Sequence, residues 1–172
     1  MSFLLGLDIG TSGVKALVMK DTGEVAGSAT VEYPLYSPRP GWTEQNPEDM
    51  WQASVEAVRQ GLAKCGVAGS DVKGVGLSGQ MHSSVFLDEA CEVIRPAILW
   101  NDTRTSGQCQ AIRETLDPEM LFSEVCNPVL EGFTLPKVVW LRDNEPDNYG
   151  KLRWLVLPKD YVRFRLTGEL AM

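Results

Sequence analysis

A single histidine, His82, stands in the 172 residues, and the four cysteines (Cys65, Cys91, Cys109, Cys126) are far apart with no Cys-x-x-Cys pair. That excludes an ordinary structural zinc site, whose ligands are drawn from those two residue types, and fits reduced thiols in the cytoplasm. Long apolar runs are missing as well. No stretch approaches the roughly 20 residues of a membrane helix, and Met1–Leu7, apolar but short and without a basic leader, does not read as a signal peptide. Cationic charge is scarce: 16 Lys and Arg against 23 Asp and Glu leave a net charge of −7. Nonspecific nucleic-acid binding, which needs clustered positive charge, is disfavoured. No internal repeat appears. A Walker A loop is absent too, because Gly10-Thr11-Ser12-Gly13-Val14-Lys15 has the wrong spacing and Ala16 follows the lysine. The chain does have 44% hydrophobic residues, enough for a substantial core, in a length that suits one ordinary domain or two small ones.

The most informative stretch lies near the start, from Leu4 to Met19. Two apolar, strand-like runs flank a turn of Gly, Thr and Ser, with the carboxylate of Asp8 near the end of the first run. Small turn residues let a backbone approach a ligand closely, since glycine has no Cβ and accepts positive φ. Consecutive N–H groups in such a turn form an anion-binding concavity. An acid beside a phosphate cradle suits hydrated Mg²⁺. The plainer alternative is an ordinary hairpin in which Asp8 merely starts the turn.

Further along, Glu24–Tyr33 reads as a third strand, completing an antiparallel meander. Asn46-Pro47-Glu48-Asp49 has the signals of a helix start, and Trp51, Val55, Val58 and Leu62 fall on one helical face. Val72–Gln80 is the next strand, with Met81–Leu87 continuing extended. It contains Gly74, Gly76 and Gly79 in Gly-x-Gly-x-x-Gly spacing, but inside a strand pattern, where glycines more often mark a close approach. Arg95–Trp100 forms another strand. A helix follows with Cys109, Ile112 and Leu116 inward, then one beginning near Thr134 and ending before Glu145-Pro146. Trp154–Leu157 is a buried strand, and Pro158-Lys159-Asp160 opens a last helix with Gly168 as its C-cap. A meander followed by alternating helices and strands predicts an α/β fold with a mixed sheet.

Five blocks resemble the FGGY family of carbohydrate kinases, and within it most closely the xylulokinases. They are Leu7–Lys15, Trp42–Pro47, Ser78–His82, Pro96–Arg104 and Leu157–Tyr161 through Leu166–Glu169, in the family's order. The resemblance implies a ribonuclease H-like, actin-like ATPase domain over residues 1–172, the sugar-binding N-terminal part of an ATP- and Mg²⁺-dependent enzyme converting D-xylulose to D-xylulose 5-phosphate. It implies that Asp8 sits by the Mg²⁺, through water, and by the transferring phosphate. Thr11, Ser12 and Gly13 would donate to phosphate oxygens, and Lys15 would add positive charge, unless it is simply a solvated strand lysine. Gln80, Met81 and His82 align with the sugar-contact segment, with a structural histidine as the alternative. Trp100, Asn101 and Asp102 end a strand where ligands collect, although Asp102 could equally cap a helix or pair with Arg104.

The family's catalytic base and adenine pocket belong to a second actin-like domain, expected beyond Met172, so these residues alone are expected to be inactive. The same resemblance leaves room for a homodimer. Competing readings are a kinase for another ketose, polyol or sugar acid, a ribonuclease H-like nuclease, and a non-catalytic actin-like binding module.

Overall fold

The structure, a computed structural model, describes residues 2–171. The chain divides into two compact units. One takes the chain up to Leu35, Asn46–Gln80 and the chain from Leu157 on; the other takes Tyr36–Gln45 and Met81–Val156.

The first unit is built on a mixed sheet. Strands β1 (Phe3–Ile9), β2 (Gly13–Lys20) and β3 (Val25–Glu32) form the predicted meander, and β5 (Val72–Gly79) adds parallel to β1, giving the order β3-β2-β1-β5. Alternation along the strands decides the faces. Leu5, Leu7, Ile9, Val14, Ala16 and Val18 are buried, while Asp8 and Lys15 point the other way. Helix α1 (Pro47–Cys65) covers the buried face. Asn46 caps it, accepting from the Glu48 N–H at 3.1 Å, and Gly66 ends it at φ 65°.

The helical face that packs is not the one predicted. Met50, Ala53, Ser54, Ala57 and Gly61 are buried, whereas Trp51, Val55, Val58 and Leu62 are only half-buried. Small residues let the helix backbone sit close to the sheet: a Cβ on Gly61 would lie 3.6 Å from both Ala16 and Val18 side chains. The larger residues flank that seam, and Trp51 lies under the Arg165 guanidinium, 4.9 Å from its ring. Helix α6 (Pro158–Thr167) completes the unit. Its Arg165 pairs with Glu48, and Gly168 ends it at φ 76°.

The second unit uses short strands and more helix. Strand β4 (Glu44–Gln45) pairs antiparallel with β7 (Ala97–Ile98), and β6 (Val85–Leu87) with β8 (Trp154–Val156). Helices α2 (Ser106–Thr115), α3 (Pro118–Met120), α4 (Thr134–Asn144) and α5 (Pro146–Lys151) accompany them, with a π-helical turn over Leu121–Val125. Phe86, Ile98, Trp140 and Leu141 form its core, with Trp42 meeting Trp140 edge to face at 5.3 Å.

Two expectations are corrected here. The segment Met81–Leu87 does not run on extended: it bends at His82, a left-handed residue at φ 55°, before β6 begins. The strand expected over Arg95–Trp100 shrinks to β7, because Trp100 and Asn101 already turn, closed by the Asp102 N–H on the Leu99 carbonyl at 3.2 Å. The helices α3 and α5 were not foreseen. Each starts at a proline, which suits a first helical turn.

Candidate active site

In the first unit the candidate residues gather on the β1–β2 hairpin. Asp8 lies directly across from Lys15 on the exposed face, a cross-strand pair of opposite charge. The turn between them closes with the Gly10 N–H donating to the Gly13 carbonyl at 3.0 Å. Thr11 is half-buried and Ser12 exposed at its tip. Neither Gly10 nor Gly13 adopts positive φ, so the conformational reason expected for these glycines does not hold. Space explains Gly13 instead, since a Cβ there would come within 2.5 Å of the Val31 carbonyl oxygen on β3.

The far side of the turn is braced. The Gly10 carbonyl accepts from the Tyr33 hydroxyl and from Gln80 Nε2 at 3.3 Å, and the Gln80 N–H donates to the Ile9 carbonyl at 2.8 Å. Gln80 is buried and serves the hairpin through these bonds. Burial, aided by the charge of Asp8, pushes the Tyr33 hydroxyl up to about 12, against the lowering effect of its hydrogen bond with Gln80. The phenol therefore remains a proton donor to Gly10 at any physiological pH. Tyr33 was not singled out from sequence, where it read only as a strand end.

In the second unit Met81 is exposed and His82 half-buried, its ring stacked on Phe133 with centroids 4.4 Å apart. Burial first, then the charge of Lys137, holds the imidazole below its usual value. A ring kept neutral donates from one nitrogen and accepts at the other. Its carbonyl accepts from Lys137 Nζ at 2.7 Å.

Trp100, Asn101 and Asp102 line one pocket of about 390 Å³ together with Thr103, Glu131 and Gly132; His82 is not among its lining residues. The Trp100 N–H donates to Ser83 Oγ at 3.0 Å, and Asn101 accepts from the Thr43 hydroxyl at 2.9 Å. Asp102 is differently employed. Almost fully buried, it accepts from the Thr43 N–H at 2.6 Å and grips Arg104 through Nε and Nη2 at 2.8–3.0 Å. Arg104 in turn lies 3.8 Å from the Trp42 ring centroid and 2.7 Å from Glu44, which also pairs with Arg95 at 2.5 Å. The pairing with Arg104 that sequence left open is thus realised. Gly132 is needed for space, since a Cβ would run into the Trp100 carbonyl.

Over residues 3–172 the chain matches the model of the FGGY family of carbohydrate kinases, N-terminal domain. It belongs to that family. The xylulose kinase of Bacillus subtilis is 44% identical over 170 residues, 99% of this chain but 34% of that protein. A xylulose kinase structure from Brucella ovis superposes with a TM-score of 0.92 at 41% identity, covering 97% of this chain and 34% of the other. One from Rhodospirillum rubrum gives 0.91 at 28% identity, with the same coverage of both chains. The α/β, actin-like fold of this FGGY domain agrees with the sequence expectation, and the nuclease reading falls away. The chain spans about a third of the length of the curated relatives it matches.

Proposed function

We propose that residues 1–172 are the sugar-binding N-terminal part of an ATP- and Mg²⁺-dependent kinase acting in the cytoplasm on D-xylulose to give D-xylulose 5-phosphate. The observation that carries this reading is the Met81–His82 turn. It holds a neutral, stacked imidazole beside an exposed methionine, a match for a hydroxyl that both donates and accepts. The xylulose kinases among the relatives support the choice of sugar.

Phosphoryl transfer asks a protein mainly for alignment, charge neutralisation and an oriented nucleophile. On this reading Asp8 offers one exposed carboxylate, and Thr11, Ser12 and Gly13 offer turn donors, to a phosphate. Lys15, opposite Asp8 on the same face, supplies positive charge. Among the described residues no group of three or more His, Cys, Asp or Glu could hold a metal alone. A lone acid nevertheless fits hydrated Mg²⁺, which takes one or two carboxylates plus substrate phosphates. When bound, Mg·ATP supplies the transferable phosphoryl group and screens its charge. We place the base that takes the sugar proton, and the adenine pocket, in the part of the relatives' length that this chain does not span. Trp100 and Asn101 remain candidate sugar contacts, and the buried Asp102 acts on them through their loop.

The test is His82→Ala in the full kinase, assayed across pentuloses, pentitols and sugar acids beside thermal unfolding. The expected loss is on the order of 1–3 kcal/mol in kcat/KM for D-xylulose, with ATP affinity unmoved. A variant that melts several degrees lower yet keeps its kcat/KM and its preference would return His82 to a structural role. A panel won by a polyol or sugar acid would replace the substrate.

A further inference from the structure

Lys137 lies on α4 with no exposed surface, between Pro136 and the core residues Trp140 and Leu141. A buried ammonium is costly unless its donors are satisfied, and here two of them are. Nζ donates to the His82 carbonyl at 2.7 Å and to the Gly132 carbonyl at 2.6 Å. Both acceptors bear on one ring. His82 is a non-glycine residue in the left-handed region, a conformation that surrounding structure must hold in place. Gly132 precedes Phe133, whose ring stacks on the imidazole. The hydroxyls at the His82 carbonyl are more distant, Ser84 Oγ at 3.3 Å and Thr134 Oγ1 at 3.5 Å.

We propose that Lys137 is a positioning residue for His82: its Nζ ties the turn that presents the imidazole to the loop that supplies the stacking ring. The consequence for sugar recognition rests on the reading of His82 as a sugar contact. Electrostatics agree with the geometry. The charged groups that act on Lys137 are Asp102, which favours its ammonium, and Arg104, which opposes it. Lys137 in turn is the charge that, after burial, lowers the imidazole. The lysine therefore bears on where the ring sits and, second to burial, favours its neutral form.

His82 is the sole histidine of the chain, so its ring resonances can be followed in NMR spectra without ambiguity. In a folded Lys137→Met chain, checked by circular dichroism and amide dispersion, we expect those resonances to shift. The ring's titration midpoint should rise as the neighbouring charge is lost. D-xylulose, which should perturb the ring in the unsubstituted chain, should do so with an apparent Kd at least tenfold higher. If Lys137→Met does not fold, Lys137→Gln, which keeps a donor but no charge, serves for the same comparison. Ring resonances, midpoint and D-xylulose response all unchanged in a folded variant would overturn the proposal, since a merely structural lysine would leave the ring's midpoint alone. A ring that moves on substitution, but never responds to D-xylulose in the unsubstituted chain, would uphold the tie and overturn the sugar reading of His82.

Discussion

Lys137 shows how a side chain that looks unremarkable in sequence takes on a stated energetic role once it is buried. Burial, its main perturbation, pushes its amine down to about 7 from 10.5, the charge of Asp102 works in the opposite sense, and that of Arg104 adds to the lowering. Between those two values the unfolded chain binds a proton that the folded chain does not. This position therefore adds stability as pH rises from 7 and loses it as pH falls from 10.5 toward 7, below which its effect is level. Comparing thermal unfolding at pH 7 and pH 9, the unsubstituted chain should gain on the order of 1–2 kcal/mol more than Lys137→Met. Equal gains in the two proteins would mean that Lys137 keeps its charge throughout. Asp102 and Arg104 belong to the same scale. They pair with each other, Asp102 also accepting from Thr43 and Arg104 lying against Glu44 and the Trp42 ring, a buried pair whose separation would leave an uncompensated charge.

At the scale of elements, the β1–β2 hairpin combines two demands. Its inner face, Leu5, Leu7, Ile9, Val14, Ala16 and Val18, must bury against α1, and the period of two then leaves Asp8 and Lys15 facing outward as a pair. The tip is fixed from behind by Tyr33 and Gln80, both bonded to the Gly10 carbonyl. A hairpin stiffened in this way can present a carboxylate at a constant place, as phosphoryl transfer requires. In the full kinase Asp8→Asn keeps the shape and removes the charge. We expect kcat to fall by roughly two orders of magnitude or more, with a smaller change in the sugar KM. Near-normal kcat in steady-state assays would make Asp8 a turn residue only.

For the molecule as a whole, length is decisive. The Bacillus subtilis relative is matched over 34% of its residues, and we propose that the catalytic base lies in the part that is not matched. The 172-residue chain, supplied with ATP, Mg²⁺ and D-xylulose in a coupled assay, should read background. Steady turnover by the purified chain, abolished by Asp8→Ala, would place the base within it and overturn this part of the proposal. Among the described residues no helix is long and apolar enough to cross a membrane, in agreement with the absence of long apolar runs in the sequence.

What the sequence determined by itself follows from local rules. Strand alternation set the meander, Asn46-Pro47 set the start of α1, Gly168 set the end of α6, and the five blocks set the family. These depend on neighbours in the chain, whose periodicity and caps are legible without a partner. Tertiary structure alone decided the rest. Which face of α1 packs was settled by how closely the sheet lets a helix approach, which favoured Ala53, Ala57 and Gly61 over the bulkier Trp51 and Leu62. Gly13 is needed because β3 passes beside it, not because its own turn requires positive φ. Asp102 accepts from the Thr43 N–H 59 positions away, and Lys137 reaches a carbonyl 55 positions away, contacts whose partners are distant in the chain. Burial and long-range pairing depend on what the rest of the fold brings alongside, and no local pattern encodes that.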